Sequence, residues 1–339
     1  MAPLFIIGTV VLASVLSSTT ASSVWTLNCA PLTQARLDPI LAPGVWPSGH
    51  VHAAVGSTAF GQQMNGTYGA LQGNATTCDK FTDHSSYWAP QLYHMRSDGL
   101  FDLLPFTGMA AYYENYTCDY NASAPGWCVG TRNPRAFPPG LKMLAGNSLR
   151  RTQNMSDPWQ QAILLESGNN GEVYGMPPKL DGNQLSGHVR FPSCWDGSNL
   201  DSPDHQSHVA YPDASLGGNT QGGMCPSSHP VALINIGAEF GFALNGVTDP
   251  ASLVFANGDT TGYGFHGDFY MGWENTTALR DSFAECFTND NCPWRAFGSP
   301  TGRDPVATAM SPMVQPPYED IGLNGPIAKL PGNNPVYSA

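Results

Sequence analysis

Val231-Ala232-Leu233-Ile234-Asn235-Ile236-Gly237-Ala238-Glu239-Phe240-Gly241-Phe242 places Ala232, Ile234, Ile236, Ala238, Phe240 and Phe242 at a strict period of two. Side chains of a strand alternate between its faces, so this stretch predicts a long strand with one apolar face. Leu100 to Phe106, Met109 to Tyr113, His188 to Phe191 and Leu253 to Ala256 read the same way, and Asn257-Gly258-Asp259 follows the last as a turn. Helical signals are few. Asn275 or Thr276 can cap a helix carrying Leu279, Phe283 and Phe287 at i, i+4 spacing, and a weaker helix is expected over Trp159 to Glu166. Gly (37) and Pro (29) are spread through the 339 residues without forming a linker, so one domain is expected. The expected fold is mostly β: a single-domain β-sandwich or jelly-roll-like core over residues 24–310, with long disulfide-tied loops and few short helices. The Pro- and Gly-rich tail, 311–339, is expected to strap across the body in extended form or to be partly disordered.

The chain opens with an apolar run from Leu4 to Leu16, too short to span a bilayer and suited to a signal-peptide core, with small residues before Val24. Residues 1–23 are therefore expected to be removed on export. All eight cysteines follow that point, and none forms a CxxC pair. An even count outside a zinc-ribbon spacing fits a disulfide framework. Cys118–Cys128 and Cys286–Cys292 are the local pairs, and elimination leaves Cys194–Cys225 and Cys29–Cys78. Asn65, Asn74, Asn115, Asn121, Asn154 and Asn275 each begin N-x-[ST], the acceptor pattern for N-glycosylation in an exported chain. The net charge of −12, from 14 basic and 26 acidic residues, argues against a nucleic-acid partner. No second apolar segment reaches spanning length, so a secreted extracellular monomer without a membrane span is expected.

Residues 190–212, RFPSCWDGSNLDSPDHQSHVAYP, hold three aspartates, two histidines, an arginine, a tryptophan and a tyrosine with little apolar periodicity. Such a run reads as an ordered polar loop, and ordered polar loops often carry function. Cys225-Pro226-Ser227-Ser228-His229-Pro230 and Gly262-Tyr263-Gly264-Phe265-His266-Gly267-Asp268-Phe269 have the same character.

Several of these runs together resemble the fungal secreted family known as domain of unknown function nineteen-ninety-six. They include Arg36-x-Asp38-Pro39-Ile40, Pro43-Gly44, His50-Val51-His52, Ser86-Tyr87-Trp88-x-Pro90 and Phe137-Pro138-x-Gly140-Leu141-Lys142-Met143-x-Ala145-Gly146. The 190–212 run, Cys225-Pro226, His229-Pro230, Asn257-Gly258-Asp259, His266-Gly267-Asp268 and Leu330-Pro331-Gly332-x-Asn334-Pro335 complete the match. Some members of that family carry glycan-associated modules, so the resemblance implies work at cell walls. It brings no settled catalytic assignment, and this chain has no such module.

The candidate site residues are therefore argued from chemistry. His50 and His52 would point to one face of a strand, where two imidazoles suit a divalent metal; the alternatives are hydrogen bonding to loop carbonyls and catalytic proton transfer. Asp204 beside His205 and His208 could orient a general base, or simply close an Asx-type turn. His266 and Asp268 lie in a glycine-rich run that lets backbone approach a ligand or another loop; the pair could be a rigidly placed catalytic imidazole and carboxylate, or part of a tight turn beside the core. His50, His52, His208 and His266 form the possible ligand set for a divalent metal, the one cofactor the sequence suggests. Tyr87, Trp88, Tyr112, Tyr113, Trp195 and Trp273 are candidate sugar platforms, while Lys142 and Arg190 could bind a carboxylate.

No GxSxG elbow, HExxH helix or P-loop occurs. The leading reading is a secreted carbohydrate-active enzyme, a lyase or a hydrolase, acting on cell-wall or environmental polysaccharide. A hydrolase would draw its two carboxylates from Asp196, Asp204, Glu239, Asp259 and Asp268. The alternatives are a His-ligated metalloprotein and a non-catalytic glycan-binding or wall-structural protein. Convergence of the 190–212 run, His50-His52 and His266-Asp268 on one place is the expectation that separates these readings.

Overall fold

The computed structural model describes residues 24–64, 75–123, 126, 128, 132, 134–285, 317 and 319–337. The expected signal peptide, Asn65, Asn74, Phe287 and the expected Cys286–Cys292 pair lie outside them. Ten strands build two antiparallel five-stranded sheets. They are β1 (Val24–Cys29), β2 (Thr33–Ala35), β3 (His52–Gly56), β4 (Ser86–Pro90), β5 (Phe106–Glu114), β6 (Lys142–Gly146), β7 (Ile163–Ser167), β8 (Gln184–Arg190), β9 (Asn235–Ala243) and β10 (His266–Tyr270). The first sheet runs β1-β5-β9-β8-β7 and the second β2-β3-β4-β10-β6.

Period two decides what lies between them. Trp25, Leu27, Met109, Ala111, Tyr113, Ile236, Ala238, Phe240 and Phe242 project from the first sheet into the same buried cluster as Ala53, Val55, Tyr87, Met143, Ala145 and Phe269 of the second. Trp25 stacks on Tyr113, with centroids 4.4 Å apart, and Phe137 bridges Tyr113 and Phe269. The fold is thus a mostly β sandwich of two sheets that share one core. Residues 52, 54, 88, 266, 268 and 270 consequently face outward from the second sheet, under the loop of residues 36–50.

Several elements depart from the sequence expectations. The run Val231 to Phe242 is not one strand. Val231–Ala232 pairs with Cys194–Trp195, and the long strand begins at Asn235. Leu233 and Ile234 are consecutive and both buried, which a two-faced strand does not allow, and their amides bond Ser193 and Arg135 carbonyls as the chain changes sheets. Leu100 to Phe106 is divided at Pro105, which has no N–H for a ladder: Phe101–Leu103 is one strand and β5 begins at Phe106. The expected helix over Trp159 to Glu166 is a single turn, α1 (Pro158–Gln161), capped by the Asp157 side chain. Ile163 and Leu165 are instead drawn into β7 by pairing with β8. The later helix, α2 (Thr276–Glu285), forms as its pattern predicts. Asn275 Oδ1 caps Ala278 N at 3.0 Å, and Leu279 and Phe283 are buried against the core.

Among the described residues, three disulfides join Cys29–Cys78, Cys118–Cys128 and Cys194–Cys225. The described part of the tail lies along the body. Ile327 bridges Phe101, Tyr337 bridges Asp259, and Asn334 Nδ2 donates to Gly49 O at 2.9 Å. Of the sequons described, Asn121, Asn154 and Asn275 are exposed, whereas Asn115 is half-buried with its side-chain carbonyl enclosed.

Candidate metal centre

β3, the turn before it and β10 bring three imidazoles together. Asp268 pairs with Trp88 and His52 with Pro90, so continuing the β4–β10 register puts His52, Pro90 and His266 in one row across the outer face. Pro90 has no long side chain to separate the two rings, which lean over it to 5.9 Å between centroids. His50 leans in from the loop, its ring tilted 4.2 Å from that of His52 and edge-on 5.1 Å from that of His266. One ligand nitrogen from each ring lies within 4.8 Å of the other two. The closest pair, His50 Nε2 and His266 Nε2, is 3.2 Å apart. Two nitrogens bound to one tetrahedral zinc at 2.0–2.1 Å would be separated by about 3.3 Å.

The second nitrogens settle the tautomers. His52 Nδ1–H donates to Leu37 O at 2.8 Å, and His266 Nδ1–H donates to Gly264 O at 2.9 Å. Each therefore presents a lone pair on Nε2, the arrangement seen where a second-shell carbonyl orients a metal-bound imidazole. The Gly264 carbonyl is itself fixed: Asp259, wholly buried, accepts from Gly264 N at 2.8 Å and from Thr261 N at 2.9 Å. His52 Nε2 is sealed from solvent and has no hydrogen-bond partner.

Burial sets the charge of the cluster. It pushes His52 down to about 4, against the opposing bond to Leu37. It pushes His266 to about 4 as well, helped by His52 and opposed by the Gly264 bond and by Asp38 and Asp259. His50 is held well below the usual imidazole value by burial and then by His52, His266, Arg36 and Arg151. All three are neutral at physiological pH, the state that can ligate a cation without first losing a proton.

Other polar atoms on this face also lack partners. Both carboxylate oxygens of Asp268 and the indole nitrogen of its register partner Trp88 are buried without a hydrogen bond. Burial, then the charge of Asp38, pushes Asp268 well above the carboxylate range. Asp38 is raised by burial too, although it accepts from Leu41 N at 2.9 Å. Buried polar groups are nearly always satisfied, so a concentration of orphans marks a place where a bound group belongs.

The remaining sequence candidates fall elsewhere. His208 is not a ligand: its Nδ1 meets Ser202 Oγ at 2.9 Å and its Nε2–H donates to Lys142 O at 2.7 Å, which uses both nitrogens. Asp204 does not orient His205. It closes its own turn by accepting from Ser207 N, Ser202 Oγ and Gln206 N, bonds that hold it well below the carboxylate range. His205 instead pairs with Asp201 at 2.7 Å, and Asp201 also holds Lys142 Nζ at 3.0 Å. Asp196 likewise caps Ser198 and Asn199. The 190–212 run still reaches this face through Gln206, whose Nε2 donates to Gly146 O at 3.0 Å opposite His266. Tyr87, Trp88, Tyr113 and Trp273 cannot be sugar platforms, because all four are 0% exposed. Three of them form a buried network, in which Tyr87 Oη donates to Asp83 at 2.7 Å and Trp273 Nε1 to Tyr113 Oη at 3.0 Å. Trp195 is half-buried, with its indole N–H on Asn199 O. Arg190, Tyr112 and Glu239 lie on the outer face of the other sheet.

Asp38, Arg36 and Arg151 are the neighbours that sequence reading did not place at the site. Their only signal was the first two residues' position in the Arg36-x-Asp38-Pro39-Ile40 run. Arg36 Nε bonds Ser48 O at 2.5 Å and Arg151 Nη2 bonds Asn257 O at 3.0 Å, so each guanidinium clamps a loop that borders a ligand histidine.

No curated protein and no solved structure matches the chain. The model of one family, described as domain of unknown function (DUF1996), matches residues 38–273, a span that begins at Asp38 and takes in His50, His52, His266 and Asp268. The match covers well over half of the sequence, and the chain belongs to the DUF1996 family.

Proposed function

We propose that this protein is an extracellular metalloprotein whose His50, His52 and His266 bind one divalent transition ion through Nε2. The observation that carries the reading is the pairing of two backbone-locked tautomers that leave Nε2 free to ligate, one of them orphaned inside the protein, in a cluster whose ligand atoms lie within 4.8 Å of one another. Imidazole ligands favour zinc or copper over magnesium or calcium. Three protein ligands leave a coordination position open, as in catalytic rather than structural zinc sites. An ion held there would polarise a substrate oxygen or activate a water. Three disulfides fit an oxidising compartment, and among the described residues no helix is long and apolar enough to cross a membrane. Resemblance to a family with glycan-associated members makes wall polysaccharide the substrate class to offer first.

The test is metal analysis and calorimetric titration of the chelator-stripped protein with Zn2+ and Cu2+. One ion per chain is expected, lost in His52→Ala and in His266→Ala and kept in His208→Ala. Absence of stoichiometric binding in the folded wild type, or binding undiminished in the His52→Ala/His266→Ala double variant, overturns the reading. Reducing-end and unsaturated-product assays on wall polysaccharides, with and without the ion, then separate hydrolysis, elimination and binding alone.

A further inference from the structure

A second polar site lies on the far side of the sandwich, in a cavity of about 300 Å³ on the outer face of the first sheet. Register explains why the cavity exists. Tyr112, Gly237 and Arg190 share one row across β5, β9 and β8. The central residue of that row has no side chain, and a Cβ there would meet nothing closer than Tyr112 Cβ at 4.0 Å. Glu114 stands on one side of this open floor, and Glu239 and His188 on the other.

The charges around it are unbalanced. Arg190 is engaged by Glu172 at 2.7 Å, and His188 sits between Glu166 at 3.2 Å and Glu172 at 3.3 Å. Tyr112 Oη donates to Glu239 at 3.2 Å. Among the described residues, no donor and no cation bonds the Glu114 carboxyl. Burial pushes that carboxyl up to about 7, with Arg190 opposing and Glu172 adding to the rise. A carboxyl so placed gains most from a ligand that brings its own positive charge. An independent sign comes from Thr220, which lines the cavity at 6% exposure while its hydroxyl bonds no group among the described residues. A hydroxyl left free on the same cavity as an unpaired carboxyl suits a ligand with hydroxyl as well as ammonium groups.

We infer that this cavity binds an aminated saccharide of one or two rings, with ammonium groups against Glu114 and, across the floor, Glu239, and ring hydroxyls at Thr220. The volume is at the small end of ligand pockets and suits a ligand of one or two rings. The site lies on the opposite sheet from the histidine cluster and does not depend on a metal there.

Calorimetric titration with the β-1,4-linked dimer of glucosamine tests it, with the N,N′-diacetylated dimer and spermidine as comparison ligands. Saturable binding of the glucosamine dimer is expected. Glu114→Gln and Glu239→Gln should each weaken it by about tenfold or more, and Thr220→Val by a smaller factor, while His52→Ala should leave it unchanged. Thermal melts of each variant confirm that it is folded. The inference fails if the folded wild type shows no saturable binding at millimolar dimer, or if the diacetylated dimer binds equally well. It also fails if Glu239→Gln binds as tightly as wild type, or if spermidine binds and the glucosamine dimer does not.

Discussion

At the scale of the residue, His52 concentrates the physics of the site. Its ring is buried, its Nδ1 is tied to Leu37 O and its Nε2 has no partner. In the unfolded chain it takes a proton near 6.5, whereas burial in the fold holds it to about 4. Between those values the unfolded chain binds more protons. Its contribution to metal-free stability is therefore full above about pH 6.5 and is lost as the pH falls toward 4. With a shift of that size, wild type stripped of metal should lose roughly 3 kcal/mol more than His52→Asn across this window. Urea melts at pH 7 and pH 4 measure the difference, and equal losses in the two proteins would show that His52 already carries a charge in the fold. The same residue shows what sequence alone makes legible. The HxH spacing put His50 and His52 on one side of the chain and made a metal conceivable. The orphaned Nε2, by contrast, depends on Leu37, fifteen positions away, and on a ring from β10 more than two hundred positions away.

At the scale of the element, the site is held by strands that contribute no ligand. Gly187 in β8 lies against the ring of Phe265, the residue just before His266. A Cβ at that position would meet the ring at 2.2 Å. Gly187→Ala should therefore cost about 1–3 kcal/mol by overpacking and weaken metal binding by shifting His266. Melts and metal titration of the variant check both, and unchanged affinity would show that β10 is not positioned through Phe265. The tail acts on the other flank. Ile321, Ile327 and Leu330 pack with Val51 and Tyr93, and Val51 separates His50 from His52. Leu330→Ala is expected to lower stability by about 2–4 kcal/mol and to speed loss of the ion to a chelator, with the number of ions bound unchanged. Equal stopped-flow release rates in variant and wild type would count against a role for the tail in closing the site. Its Pro- and Gly-rich composition indicated extended structure but carried no information about which surface it would meet.

At the scale of the whole molecule, two sheets that share one core leave two outward faces, and each gathers polar chemistry of its own. The disulfides tie loops to this frame unequally. Cys29–Cys78 spans 49 positions and joins the end of β1 to the segment before β4, whereas Cys118–Cys128 spans 10. Closing the longer loop removes more entropy from the unfolded chain, by about 1.4 kcal/mol on the loop-length relation. Replacing Cys29 and Cys78 by Ala should therefore reduce stability more than replacing Cys118 and Cys128. Denaturant midpoints of the two double variants make the comparison, and the reverse order would mean that native-state packing around the bridges outweighs chain entropy.

Local pattern was enough to determine the β character of this chain, its capped helix after Asn275 and the presence of polar, histidine-bearing loops. These follow from alternation, capping and composition, which are properties of neighbouring residues. Tertiary structure decided which of those loops meet. His208 looked equivalent to His266 in sequence, yet both its nitrogens are spent on Ser202 and Lys142, while His266 spends only Nδ1, on Gly264 O, and turns Nε2 to His50. Tyr87, Trp88, Tyr113 and Trp273 looked like binding surface and became core and buried network. Glu114, an ordinary residue in an alternating strand, became the unpaired carboxyl of a cavity because Gly237 lies in the next row. In each case the role depends on which long-range partner satisfies or abandons a polar atom. Strand register and sheet packing set that partner, and no local stretch of the sequence encodes it.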